Sequence, residues 1–235
     1  MPTVAATVRP ILLTIALVSG PIAAAISTGQ AQEPGAIGGH VKLTARVRGA
    51  SQPSAIYTPR GIPRHDPPAM PEIRNVVVYL KDVAFRGTLP ITTSEMRQEH
   101  ETFVPHVLAI TRGSTVSFPN GDPIFHNVFS LSRAATFDLG RYPEGHARSE
   151  KFPNAGLVKV YCRIHSHMSA AILVLDHPYF ATPDDEGTFR LPDVPPGSYT
   201  IVGWHERVGE RAVRVRVEPG RQTDVELTLP VEDQP

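Results

Sequence analysis

Short apolar runs follow one another along this chain, rich in Val, Ile, Leu, Tyr and Phe, and clusters of Gly, Pro, Asn and Asp separate them. Beyond residue 31 no stretch keeps a helical period for three turns, so the pattern is that of an all-β protein. It predicts strands over 41–47, 76–80, 106–111, 114–118, 157–161, 171–175, 199–204, 212–217 and 223–229. Turn chemistry lies between them in Arg112-Gly113, Pro119-Asn120-Gly121-Asp122, Asp184-Asp185-Glu186-Gly187, Pro195-Pro196-Gly197 and Pro219-Gly220. Residues 50–72 are Pro-rich, poor in aromatics and without a period of their own, and read as a mobile insertion.

Alternation over 157–162 places Val158, Val160 and Cys162 on one face of a strand and Leu157, Lys159 and Tyr161 on the other. Cys162 therefore points from a strand end into an apolar interior. It is the single cysteine of the chain, and His165 and Met168 follow it in Tyr161-Cys162-Arg163-Ile164-His165-Ser166-His167-Met168. Thiolate, imidazole and thioether are the donors of a mononuclear electron-transfer copper site, which needs one more imidazole. His126, after the turn at 119–122 and among Phe125, Val128 and Phe129, supplies it in a segment expected to exclude water. The predicted site is one type 1 (blue) copper ion on His126, Cys162, His165 and Met168. Asn127 is expected to tie the His126 segment to the Cys162 loop and so orient the ligands. His167 competes with Met168 for the axial position, which a soft, weak ligand suits better. The same thiolate and imidazole donors also suit zinc.

The first 31 residues change the picture of where the protein works. Arg9, the apolar runs 11–18 and 23–26, and Gly29-Gln30-Ala31 read as an export signal cleaved after Ala31, an uncleaved anchor being the alternative. A lone cysteine in an exported chain is an unpaired thiol, an intermolecular link or a ligand. Lys and Arg number 23, as do Asp and Glu, and no basic stripe is present, which argues against a nucleic-acid partner. After signal cleavage no stable membrane insertion is expected. The remaining histidines lack metal spacing, and Glu99, Asp122 and Asp138 are acid–base candidates that nothing in the sequence brings together.

Residues 92–176, with a Pro-Asn turn, His126-Asn127 and then Tyr-Cys-x-x-His-x-x-Met, resemble the cupredoxins, and the short ligand loop is similar to that of amicyanin. The resemblance implies a Greek-key β-sandwich with 102–108 as its first strand, 113–118 leading to the first histidine and 156–162 ending in the cysteine. Ile164 stands where many cupredoxins have proline. More specifically, the chain resembles periplasmic methylamine-utilisation-like proteins, in which such a domain accompanies a carboxypeptidase-regulatory-like, prealbumin-like β-sandwich. Asp185-Glu186-Gly187-Thr188-Phe189-Arg190-Leu191 and Val194-Pro195-Pro196-Gly197-Ser198-Tyr199-Thr200 carry that likeness, and its opening strands are found upstream at 39–43 and 75–80. The implied organisation is a discontinuous domain, 35–90 with 177–235, around a copper domain at 91–176. A tandem arrangement divided at 176 is the alternative.

The function expected is that of a periplasmic or otherwise exported, non-enzymatic carrier of single electrons, with a redox partner that the resemblance suggests is a cytochrome or a dehydrogenase. A copper oxidase or nitrite reductase would need further histidines, commonly a His-Cys-His run that Tyr161-Cys162-Arg163 lacks. Copper trafficking, and an envelope-binding module with a redox or structural metal site, are the competing readings.

Overall fold

A computed structural model describes residues 2–3, 32–44 and 71–230. Apart from residues 2–3, 71 and 72, the export signal and the Pro-rich segment lie outside the described residues. The described residues are all-β, with one 3-10 turn among them at Glu72–Asn75. No helix among the described residues is long and apolar enough to cross a membrane.

Seventeen strands follow in order: β1 (Gly35–Leu43), β2 (Val76–Lys81), β3 (Thr93–Glu95), β4 (Arg97–Glu99), β5 (Thr102–Val104), β6 (Val107–Thr111), β7 (Thr115–Pro119), β8 (His126–Ser132), β9 (Ala135–Tyr142), β10 (Ala147–Lys151), β11 (Gly156–Tyr161), β12 (Ser169–Leu175), β13 (Phe180–Ala181), β14 (Thr188–Val194), β15 (Gly197–His205), β16 (Gly209–Val217) and β17 (Gln222–Leu229). Sheets β14-β1-β17 and β13-β2-β15-β16 enclose one core; sheets β10-β7-β3 and β6-β12-β11-β8-β9 enclose a second. The ribbon β4-β5 completes the architecture.

All nine predicted strands are present, with shifted ends. The run 41–47 is seen as β1, which begins six residues earlier at Gly35 and ends at Leu43, while residues 45–47 lie outside the described residues. Its glycines look like turn signals, yet β1 is the central strand of its sheet. A Cβ on Gly39 would lie 1.8 Å from the Val225 carbonyl oxygen, so the approach of β17 requires glycine there. The single strand expected over 102–108 is instead two, β5 and β6, in different sheets. Pro105 lies between them and has no N–H to give to a ladder.

Period-2 alternation explains why β2 and β12 are apolar on both faces. Val76, Val78 and Leu80 enter the first core, and Ala170, Ile172 and Val174 enter the second. The residues between them, Val77, Tyr79, Ala171, Leu173 and Leu175, join Val107, Val202 and Trp204 in a third cluster that packs the two sandwiches together. A polar clasp flanks it. Glu206 accepts a hydrogen bond from His106 Nε2 at 2.6 Å and pairs through its other oxygen with Lys159 of β11.

Trp204→Ala should lower stability by about 3–5 kcal/mol in denaturant unfolding, because it empties the middle of this seam. The clasp predicts a pH dependence. The His106 hydrogen bond, helped by Lys159 and opposed by burial, holds the Glu206 carboxyl at about 2, below its ordinary 4.5. A depressed carboxyl stabilises the fold fully above the unfolded value, and that share is lost as pH falls from about 4.5 towards 2. Unfolding measured across this range should show a shallower acid loss in Glu206→Gln than in the parent.

Candidate metal centre

β11 alternates as its sequence demands, with Val158 and Val160 buried and Leu157 and Tyr161 exposed, and it delivers Cys162 to the end of the second core with 4% exposure. The loop that follows is tied at both ends. The Cys162 N–H donates to the Met168 carbonyl at 3.3 Å, and the Met168 N–H donates to the His165 carbonyl at 3.0 Å. β12 then pairs with β11 from Tyr161↔Ser169 onward, so the loop is pinned between neighbouring strands. His126 opens β8, which pairs with β11 at Phe129↔Tyr161 and so brings the histidine beside the cysteine.

Three donors converge. Cys162 Sγ lies 3.9 Å from His126 Nδ1 and 3.8 Å from His165 Nδ1, and the two Nδ1 atoms are 3.0 Å apart. The imidazole rings meet edge-on at 69° with centroids 4.8 Å apart. Among the described residues this is the one cluster of three His, Cys, Asp or Glu side chains with ligand atoms close enough to hold a metal ion. Bonds of roughly 2.0 Å to nitrogen and 2.3 Å to sulfur, opened to about 120°, put the two donors about 3.7–3.8 Å apart. The sulfur–nitrogen separations match that value, so the residues fit a thiolate-binding metal.

Met168 is 1% exposed and packs in the same core as Cys162. His167 faces away: its Nε2 pairs with Glu101 at 3.1 Å on a side chain one-third exposed. Asn127 donates from Nδ2 to Asp138 Oδ1 at 2.7 Å and accepts the Arg163 N–H at 3.3 Å, which ties β8 to the residue after Cys162. Arg163 Nε reaches the other Asp138 oxygen at 3.0 Å, and its guanidinium lies 4.4 Å over the Phe129 ring. The expectation that Phe125 helps wall off the site fails, since Phe125 is 56% exposed. Val128, Phe118 and Tyr142 share the buried core that holds Cys162 and Met168, while Phe125 and Ile164, each next to a site histidine in the chain, are exposed.

Asp122 and Asp138, which the sequence offers only as acid–base candidates, instead hold His126 and Asn127. Asp122, four residues before His126, lies 2.7 Å from His126 Nε2. It is itself fixed by the N–H groups of His100 at 2.6 Å and Glu101 at 2.8 Å. Its place four residues ahead of a histidine, in a polar turn, was the available signal. Asp138 gave none, because strand pairing alone brings it to Asn127. Glu99 joins neither and lies on an exposed position of β4. The other histidines with side-chain partners serve structure: His106 binds Glu206, His205 binds Glu72 at 3.0 Å, and His177 accepts the Tyr179 N–H at 3.2 Å.

The electrostatics favour a thiolate. Burial pushes the Cys162 thiol up, but His126 and the N–H groups of Asn127, His165 and Ile164 outweigh it and leave it below its ordinary value. Burial likewise pulls His126 down, and hydrogen bonds to Asp122 and Cys162 overcome it, raising the imidazole to about 9. His165 is depressed by burial and by the charge on His126. These shifts favour the charged forms of Cys162 and His126 and the neutral form of His165, and a metal bound through His126 competes with its proton.

No family model matches the chain, and no curated protein does. Among solved structures it is similar to an amicyanin variant in the Cu(I) state, with 20% identity, 35% of this chain and 82% of that one covered, and a TM-score of 0.34. It is similar to a purple cupredoxin from Nitrosopumilus maritimus at 21% identity, 35% and 99% coverage and a TM-score of 0.32. A copper-containing nitrite reductase from Thermus scotoductus SA-01 is 22% identical over 46% of this chain and 27% of its own, with a TM-score of 0.34. Scores of this size leave function to be argued from the chain's own geometry.

Asp122→Asn should weaken metal binding about 10–100-fold, the usual consequence of losing a carboxylate that orients a ligating imidazole. A competition titration against a chelator of known affinity measures this.

Proposed function

We propose that this chain is an exported, non-enzymatic type 1 copper protein that carries single electrons between redox partners. The observation that carries the reading is the convergence of one thiolate sulfur and two imidazole nitrogens, all within 4.8 Å, at the end of an apolar core. A bound copper ion would supply a one-electron Cu(II)/Cu(I) couple. His126, Cys162 and His165 would hold it, with Met168 as a weaker fourth ligand.

The protein's own part is to keep that ligand set still. Cys162, His165 and Met168 share a short loop closed by backbone hydrogen bonds, and Asn127 fastens the loop to the strand that bears His126. Donors that are rigid before the metal arrives leave little to reorganise when its charge changes. A sulfur only 4% exposed is better placed as a ligand than as a nucleophile, which supports a carrier over an enzyme. His165 is the least buried of the three donors, and the exposed Ile164 before it and Phe125 before His126 suit the small, transient contact of a redox partner. By resemblance that partner is a cytochrome or a dehydrogenase of the periplasm.

In this reading the chain is a signal peptide at 1–31 followed by two domains. The copper domain at 91–176 is inserted into a carboxypeptidase-regulatory-like sandwich formed by 35–90 and 177–235. The strands that share the first core, from β1, β2 and β14 to β17, support that division.

Titration of the mature protein with Cu(II), followed by visible absorption and electron paramagnetic resonance, tests the proposal. An intense thiolate-to-copper band should saturate at one copper per chain and vanish in Cys162→Ser. Met168→Gln should keep the copper and lower the potential, while His167→Ala should change neither band nor potential. A colourless complex would point to zinc instead, and bleaching by His167→Ala would overturn the axial assignment.

A further inference from the structure

We infer that the sandwich remote from the metal donors carries a binding cleft for an acidic oligosaccharide, one whose uronic carboxylates are read by arginines. The outer face of sheet β13-β2-β15-β16 is covered at one end, where Val77, Tyr79, Val202 and Trp204 pack against the other sandwich. Its other end is open. There the register sets Lys81, Thr200 and Arg214 in one row across β2, β15 and β16, and pairs Ser198 with Arg216 further along the same face. Residues 82–87, of which Val83 and Phe85 pack against the first core, line a cleft together with these side chains. This cleft has a volume of about 1040 Å³, enough for several linked sugar rings.

The lining is unbalanced in a chain of zero formal charge: Lys81, Arg86, Arg214 and Arg216 face a single carboxylate, Asp82. Lys81 is occupied by Glu210 at 2.5 Å. The three arginines have no ion pair among the described residues, and the Ser198 and Thr200 hydroxyls have no side-chain hydrogen bond there. Guanidinium forks match carboxylates in pairs, and free hydroxyls match sugar hydroxyls. Phe85, edge-on to Tyr179 with centroids 5.8 Å apart, and Tyr199 line the cleft on its side towards the first core, where they add apolar surface on which a pyranose face can rest.

Two other anionic surfaces fit less well. β15 is hydrogen-bonded on both sides, so only the edge strand β16 offers main-chain groups to an acidic peptide, and it lies at one side of the floor. Val213 is the only exposed large apolar residue on β2, β15 and β16, which gives a lipid surface little to hold. The inference is independent of copper.

The test is calorimetric titration of the whole protein with four probes: a galacturonate hexamer, a neutral maltohexaose, a polyglutamate peptide and phosphatidylglycerol vesicles. The galacturonate should bind, less tightly as salt is raised, and an Arg214→Gln, Arg216→Gln double variant should weaken it about tenfold or more. Both positions are exposed, so the unfolding midpoint of the variant should be unchanged, which separates lost recognition from lost fold. No binding of galacturonate, equal binding by the variant, or equal binding of maltohexaose overturns the inference. Tighter binding of the peptide or the vesicles overturns the ligand class.

Discussion

The structure depends on β12 being buried on both faces. A strand can serve two cores only if its odd and even residues are both apolar, and 169–175 meets that condition with Ala170, Ile172 and Val174 on one side and Ala171, Leu173 and Leu175 on the other. The first set packs in the core that also holds Cys162. The second faces Val202 and Trp204. Because one strand fixes both, the ligand loop that ends where β12 begins is anchored to the seam between the sandwiches as well as to its own sheet.

Charge on a buried thiol and a buried imidazole is costly unless each is hydrogen-bonded. Here each has several partners. Cys162 receives three backbone N–H groups as well as His126, and His126 is held from behind by Asp122, whose carboxylate is in turn fixed by two backbone N–H groups. The chain from backbone to Asp122 to His126 to Cys162 sets the orientation of one imidazole before any metal is bound. Asp138 does the corresponding work for the loop, through Asn127 and Arg163.

Much of the fold was legible because its strands obey period two. Even the direction of Cys162 followed from Val158 and Val160. The donors His126, Cys162 and His165 were readable because metal chemistry restricts residue types and because two of the three share one short segment. What escaped has physical reasons. β8 inverts the usual pattern by burying His126, Asn127 and Ser130 and exposing Leu131, β9 has polar residues on its solvent face, and β10 reads Ala-Arg-Ser-Glu-Lys with almost no apolar signal. β1 hid behind glycines that serve close packing, and Pro105 divided a strand that resemblance had made continuous. Asp138 and Glu206 act on residues distant in sequence, so spacing could not find them.

The parallel pairing of β1 with β17 has a further consequence. Gly35–Leu43 lies between β14 and β17, so the first described strand finds neither neighbour until most of the chain exists. The strands from 93 to 175 need no such wait, since their partners all lie within that span. Synthesis therefore presents a finished inner sandwich between two halves of an unfinished outer one. Any chain cut short of residue 222 leaves β1 with an open edge, ready to pair with another copy.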